Sequence, residues 1–462
     1  MNKEVNVKAT TIKYEKISFF ERVSYGCGDL GCNIIYSAMS AFLLFYYTNY
    51  ADVSAAAVGS IMLISRILDG FSDLTMGIIV DRTKSKYGKA RPWILRMAIP
   101  FAISAILLFS VPSSLGVTSK LIYIFITYNL VSTVIYTAIN VPYATLNSLI
   151  TQDQYERGVL SIFRMILATC GTLIINGLTL PLVEHFGNNL SAWTKTFFIF
   201  GIASIIVFFI TFTGTKERVK AVKQNKNEVI PFKIGIKSLF RNKYWIQITL
   251  CLVCIFIVFA INGGSSVYYA KFILGDEKLF APINMVSNVS QIIAMFMVAP
   301  FIKKFGKRNV LIVGSIILIS SNVMFIIAGQ NYIGVISASA IKGIGSAGIA
   351  ATMFAIVSDT IEYGEWKTGY RTEGLINSAS SFGFKVGNGL GSAILGGVLS
   401  IGGYVGTSAT QSNSAIVSIK ACFIYLPIFI TILQIIIMFF YKLDKEYSTI
   451  PGLLYTSDAA DD

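Results

Sequence analysis

Seven ionisable side chains lie inside otherwise apolar stretches of this chain: Asp29, Arg66, Asp69, Asp73, Arg164, Lys342 and Lys385. An ionisable group near the centre of a bilayer costs at least about 2.5 kcal/mol, so groups placed there mark chemistry. Arg66, Asp69 and Asp73 follow each other at spacings of three and four, which on a helix aligns them along one face. Gly70 and Gly77 leave that face open. Two carboxylates one turn apart repel each other unless a bound Na⁺, a proton or a neighbouring cationic side chain shares their charge. Two readings stay open from these residues. Either Asp69 and Asp73 hold an exchangeable cation, with Lys385 competing for them, or Asp29, Asp69 and Asp73 form a permanent network with Arg66, Arg164 and Lys385. Lys342 has no evident partner in the sequence.

Neutral polar residues accompany these charges. In the fourth apolar stretch Asn129, Thr133, Tyr136 and Asn140 share one face, with Thr137 beside them, and the first stretch offers Asp29, Asn33 and Tyr36. Amides and hydroxyls beside aromatic rings suit a ligand with many hydroxyl groups. The seventh stretch (Asn262, Ser266, Tyr269) and the eighth (Asn284, Asn288, Gln291) have similar stripes, which serve equally well as hydrogen bonds between helices. In the eleventh stretch Gly383, Gly387 and Gly391 form a small-residue ladder for close packing, while Ser381, Lys385 and Asn388 project from another face.

Several other patterns carry no function. Gly26 to Gly31 matches the GxGxxG dinucleotide pattern, but no strand precedes it. The sequence has no GxxxxGK phosphate loop, no GxSxG and no HExxH, and its one histidine is His185. These absences argue against an ATP motor or a covalent catalyst, so no enzyme activity and no cofactor beyond a coupling ion are expected. The six cysteines all fall in apolar runs, and the Cys251-x-x-Cys254 pair has no second ligand pair, so neither a disulfide framework nor a zinc site is expected.

The elements that must position these groups follow from composition. Of 462 residues 54% are hydrophobic and 13% are charged, where soluble domains carry about a quarter charged. Apolar stretches long enough to cross a membrane recur twelve times, at about 23–48, 54–80, 93–112, 121–148, 159–182, 193–213, 244–272, 281–302, 309–328, 333–358, 374–400 and 415–441. The short alternating segments of a β-barrel are missing. A net charge of +14 in a soluble protein would suggest nucleic acid, but here the basic residues alternate by side. They fill the amino-terminal arm, the second joint (Arg82, Lys84, Lys86, Lys89, Arg91), the central loop and the eighth joint (Lys303, Lys304, Lys307, Arg308). By the positive-inside rule both termini are cytoplasmic, and no nucleic-acid partner is expected. Residues 1–22 are too polar for a signal peptide and form a cytoplasmic arm. They lead into a six-helix bundle (23–213), a cytoplasmic linker (214–243), a second six-helix bundle (244–441) and a cytoplasmic tail (442–462). Leu454 to Asp462, acidic and without helical pattern, has no part in the functional reading.

The two halves look like a repeat. Gly77-x-x-x-Asp81-Arg82 with Gly88-Lys89-Ala90-Arg91 has a weaker echo in Lys303 to Arg308. Halves of this kind, rocking about a site near the midplane, are the major-facilitator design. From about Ser24 to Leu443 the chain resembles the glycoside–pentoside–hexuronide:cation symporters. The resemblance is carried by Ser65-Arg66-Ile67-Leu68-Asp69-Gly70-Phe71-Ser72-Asp73 with Met76-Gly77, Asp81-Arg82 to Trp93 and Asn140-Val141-Pro142-Tyr143. It extends to Asp359-Thr360-Ile361-Glu362-Tyr363-Gly364-Glu365-Trp366 and Arg371-Thr372-Glu373-Gly374.

The resemblance implies a twelve-helix, all-α membrane protein that moves a glycoside with Na⁺, H⁺ or Li⁺ across a bacterial inner membrane, as a monomeric transport unit in contact with lipid. It implies Asp69, Asp73 and Thr137 at the cation, with Ser72 where a relative has asparagine, and Lys385 between the cation and the sugar. It implies Arg164 on the sugar side, joined by Asn33 and Asn140 at positions where one branch carries acids, which points toward glucuronides or xylosides. Tyr36 and Tyr136 complete the expected sugar contacts. Asp29 and Arg66 are expected to couple the sites, and the joint residues Asp81, Arg82, Asp359, Glu362 and Arg371 to close the cytoplasmic side by ion pairs. A lipid or drug carrier on the same fold, with a more apolar cavity, and a membrane sugar sensor that does not transport are the rival expectations.

Overall fold

The computed structural model describes residues 17–151, 154–219, 232–368, 373–408 and 410–443, and every regular element among them is a helix. Twelve of these are long and apolar enough to cross a membrane. In the first half they are α1 (Phe19–Asn49), α2 (Ala55–Arg82), α3 (Arg91–Leu108), α4 (Val117 to Ile150), α5 (Gln154–His185) and α6 (Leu190–Gly214). In the second they are α7 (Lys243–Phe272), α8 (Phe280–Phe305), α9 (Lys307–Ala328), α10 (Tyr332–Thr368), α11 (Glu373–Ile401) and α12 (Asn413 to Phe439). The helices run past the expected apolar limits where polar residues extend them into the interface, most of all α10, which continues to Thr368.

Helix ends are fixed by side-chain caps. The Asn189 carboxamide oxygen accepts from the Ala192 N–H, and that of Asn242 from the Trp245 N–H, each at 3.0 Å; such caps satisfy N–H groups that a helix leaves unpaired. A short helix, Phe232–Arg241, occupies the end of the linker. The start of the linker folds back on the first half. The Glu217 carboxylate accepts from the N–H groups of Lys89, Ala90 and Arg91 at 2.8 to 2.9 Å, and Arg218 makes a bidentate pair with Glu21 at 2.8 Å. An anion at the start of α3 is where the helix dipole favours one. Gly88, at φ +103°, makes the turn that brings these N–H groups together, and a Cβ there would lie 2.3 Å from the Glu217 carboxyl.

Each half has its own packing. In the first, α1 lies against α5 and α6, and α3 against α6; in the second, α10 lies between α8 and α9, and α11 on α7. The glycine ladder of α11 does what its spacing predicts. A Cβ on Gly387 would lie 2.8 Å from the Val253 carbonyl oxygen, and one on Gly391 2.7 Å from the Ala260 Cβ, so α11 and α7 touch backbone to backbone. The described cysteines are free, four buried and two partly so, as expected of small apolar side chains.

The halves meet along α1 and α7, α2 and α11, and α5 and α8. Toward the end remote from the linker this seam is tight. The hydroxyls of Thr48 and Tyr268 are 2.9 Å apart, Tyr404 donates to Asn49 at 2.9 Å, and Lys278 pairs with Glu184 at 2.9 Å. Gly59 and Gly396 let α2 and α11 come together there, and a Cβ on Gly396 would lie 2.2 Å from the Ala55 carbonyl oxygen.

Candidate cation and sugar site

Asp69 and Asp73 of α2 have different cationic partners. Arg66 Nη1 lies 2.9 Å from Asp69 Oδ2, within the same helix. Lys385, from α11 in the other half, contacts Asp73 Oδ2 and also lies 3.5 Å from the backbone oxygen of Asp69. Asp69 is buried, whereas the Asp73 side chain keeps a third of its exposure. The remaining carboxylate oxygens accept from α4: Thr133 donates to Asp69 Oδ1, and Thr137 donates to Asp73 Oδ1 at 3.0 Å. Ser72 turns its hydroxyl to the Thr133 carbonyl oxygen, tying α2 to α4 between the two rungs.

The winding of α4 changes beside this ladder. Val117–Asn129 and Thr137–Ile150 are α-helical, but Leu130–Tyr136 between them is a π-helical segment. A π segment inserts an extra residue per turn and recurs at functional sites. Thr133 and Thr137, four residues apart, stand against Asp69 and Asp73, also four apart. Sequence spacing placed Thr133 on the polar stripe of α4, and the family resemblance implied Thr137 alone as a cation neighbour; in the structure each threonine donates to one of the two carboxylates.

A second cluster involves α1, α4 and α5. Arg164 Nε pairs with Asp29 Oδ2 at 3.1 Å, and its guanidinium lies over the Tyr143 ring at 5.1 Å. Asn33 donates to the Asp29 backbone oxygen at 2.9 Å, and Asn140 donates to the Tyr136 hydroxyl at 2.9 Å. The Tyr36 and Tyr136 rings stack at 5.4 Å, and the Arg66 guanidinium lies 5.7 Å over Tyr36. Tyr36 therefore touches both clusters. Tyr143 had no separate place in the sequence reading, although its motif, Asn140 to Tyr143, was visible.

Between the halves, Arg66, Tyr36, Tyr128, Asn388 and Ser392 line a cavity of about 30 Å³. That is room for one or two waters, not for a sugar. A glycoside bound against Arg66 and Tyr36 thus requires α2 and α11 to separate.

The other expected residues fall elsewhere. Asp359 pairs with Lys307 at 2.5 Å, within its own half, and Arg82 is exposed. The side chains of Asp81, Glu362 and Ser381, and all of Arg371, lie outside the described residues. Asn284 of α8 donates to the Ser266 hydroxyl of α7 at 2.9 Å, which is the interhelical use of that stripe. Lys342 does have neighbours. Its ammonium donates to Asn262 Oδ1 at 3.0 Å and lies 4.4 Å over the Phe423 ring, beside a π-helical segment of α12 at Ala421–Tyr425.

Among the described residues, then, Asp29, Asp69 and Asp73 are each matched by one cation, and Asp69 and Asp73 are each held by a threonine hydroxyl as well. Carboxylate and hydroxyl oxygens are the donors that hard cations prefer. Two packed halves with a charged seam at mid-depth are the architecture of a membrane transporter, in which the site is exposed by moving one half against the other. The comparisons agree. The solved structure of the nucleoside transporter NupG superposes with a TM-score of 0.65 at 14% identity, covering 92% of this chain and 100% of that one, a likeness of fold. Residues 24–445 match the family model for MFS/sugar transport proteins, and the chain belongs to that family. It is 34% identical to an isoprimeverose transporter of Lactiplantibacillus pentosus over 95% of this chain and 91% of that one. It is 29% identical to a glucuronide carrier protein homolog of Escherichia coli over 94% and 95%. The chain is a multi-pass transporter, not an enzyme.

Proposed function

We propose that the protein is a symporter that takes up a glycoside together with a cation by alternating access. The observation that carries this reading is the contact of Lys385 with Asp73 across the two halves. A cation that binds Asp69 and Asp73 must displace this ammonium, and a displaced Lys385 loosens the seam between α2 and α11. Arg66 and Tyr36, which lie on that seam, then become available to a sugar together with Asn33, Tyr136, Asn140 and Arg164. Binding of cation and sugar is thereby linked, and each tightens the other by the same factor. The oxygens of Asp69, Asp73, Thr133 and Thr137 suit Na⁺ or Li⁺, and the two carboxylates equally suit a proton.

Amides at positions 33 and 140 and the kinship with isoprimeverose and glucuronide carriers favour a xyloside or a glucuronide as substrate. The alternation of basic joints orients both termini to the cytoplasm of a bacterial inner membrane, with a single chain as the transport unit. The test is uptake of isoprimeverose, xylosides, glucuronides and galactosides into proteoliposomes under imposed Na⁺ or H⁺ gradients, comparing the native chain with Asp73→Asn. Gradient-driven accumulation that the variant loses is the expected result. Failure of a folded native protein to accumulate any glycoside under either gradient overturns the sugar reading.

A further inference from the structure

A second cavity lies far from the charged seam, at the end of the second half remote from the linker, between α7, α9 and α12. It measures about 320 Å³ and is walled by Tyr269, Phe325 and Ile424, with Gln330 at its rim and Lys420 and Tyr425 on α12. Most of its wall is apolar, yet the Lys420 ammonium and the hydroxyls of Tyr269 and Tyr425 form no hydrogen bond or ion pair with any described residue. Tyr269 is 1% exposed, and its ring stacks on Phe423 at 4.2 Å. Three residues with donor groups thus line one mostly apolar space, and among the described residues no carboxylate lines it. Gln330 commits one of its two amide N–H groups to the Ile273 carbonyl oxygen at 2.8 Å.

The mouth of the cavity opens on the outer surface of the bundle. Tyr425 and Ile326 at the mouth are 47% and 45% exposed, and the stripe continues down α12 through Phe429, Ile432 and Ile436 at spacings of four, three and four. A free sugar or a free anion has no use for that stripe, whereas acyl chains fit it. Lys420 sits seven residues into α12, about 10 Å below the helix start at 1.5 Å per residue, at the depth where a lysine reaches up to a headgroup.

We propose that this cavity binds the headgroup of an anionic phospholipid, with Lys420 and the two tyrosine hydroxyls on its phosphate and the acyl chains along the α12 stripe. An anionic headgroup is favoured over a zwitterionic one because, among the described residues, no acidic side chain lines the cavity to receive an amine. The site depends on the chain spanning a membrane and is independent of which substrate it carries.

Native mass spectrometry of the full-length protein, equilibrated with equal amounts of phosphatidylglycerol and phosphatidylcholine, tests the site. The native chain should retain phosphatidylglycerol preferentially. Lys420→Gln should lower that retention about tenfold, the loss of one charge-assisted hydrogen bond, while Lys420→Arg and the exposed control Lys195→Gln should keep it. Glycerol phosphate in excess should not compete; if it does, the site takes a free phosphate and the lipid assignment fails. Equal retention of the two lipids by the native chain, or undiminished phosphatidylglycerol on a folded Lys420→Gln protein, also overturns the proposal.

Discussion

Replacing Lys385 by glutamine should tighten cation binding while abolishing accumulation, a combination that few alternatives produce. In the structure the ammonium of Lys385 meets Asp73, whose other oxygen is held by Thr137. Two unit charges about 4 Å apart attract by about 4 kcal/mol at an effective dielectric constant of 20. The side chains keep 15% and 33% of their exposure, so water screens part of this, and the lysine recovers some solvation when it leaves. A competition of about 1 to 3 kcal/mol remains, and removing it should raise the affinity of the driving cation about tenfold to a hundredfold.

The unloaded carrier would then bear one uncompensated negative charge, because Arg66 still matches Asp69 and Arg164 still matches Asp29. Its return through the closed form should stall, for burying an unpaired charge is costly. The assay pairs titration calorimetry of the driving cation with two transport measurements in proteoliposomes. Exchange at equal cation concentration on both sides should persist, and gradient-driven accumulation should vanish. The reasoning is refuted if Lys385→Gln exchanges normally but binds the cation no more tightly than the native chain, or if it still accumulates substrate.

Three further outcomes follow from neighbouring contacts. Thr133→Val removes the hydroxyl that holds Asp69 and should weaken the cation dependence of uptake about tenfold, with Thr133→Ser restoring it, as expected for a hydrogen bond to a charged group. Gly396→Ala places a methyl 2.2 Å from the Ala55 oxygen and should disfavour the sealed seam; labelling of Ser392→Cys by an impermeant maleimide should rise several-fold. Lys342→Met removes a half-buried charge whose hydrogen-bond partner is the neutral amide of Asn262, so the thermal midpoint should hold or rise, whereas Arg66→Met breaks a buried ion pair and should cost about 3 to 5 kcal/mol.

The spans and the charged residues of α2 were legible in the sequence for one reason: lipid penalises polar groups so heavily that length, hydropathy and isolated charges are strong signals. The pairing of those charges was not legible. Three carboxylates and three cations permit several matchings, and the observed one depends on how far α11 approaches α2, which Gly59, Gly389 and Gly396 decide only once the halves are docked. Thr133 escaped assignment for a different reason. Thr133 lies within the π segment at Leu130–Tyr136, and nothing in an apolar run with one Ser and one Thr announces that a turn will widen. Lys342 is the converse case, since its contacts, an amide on α7 and rings on α9 and α12, come from three helices and from a second π segment. Composition therefore locates the membrane and the seam, while the matching of charges depends on small residues and widened turns. Those are the features an alternating carrier needs: a seam that closes only when α11 can sit against α2 is also one that a displaced Lys385 can open.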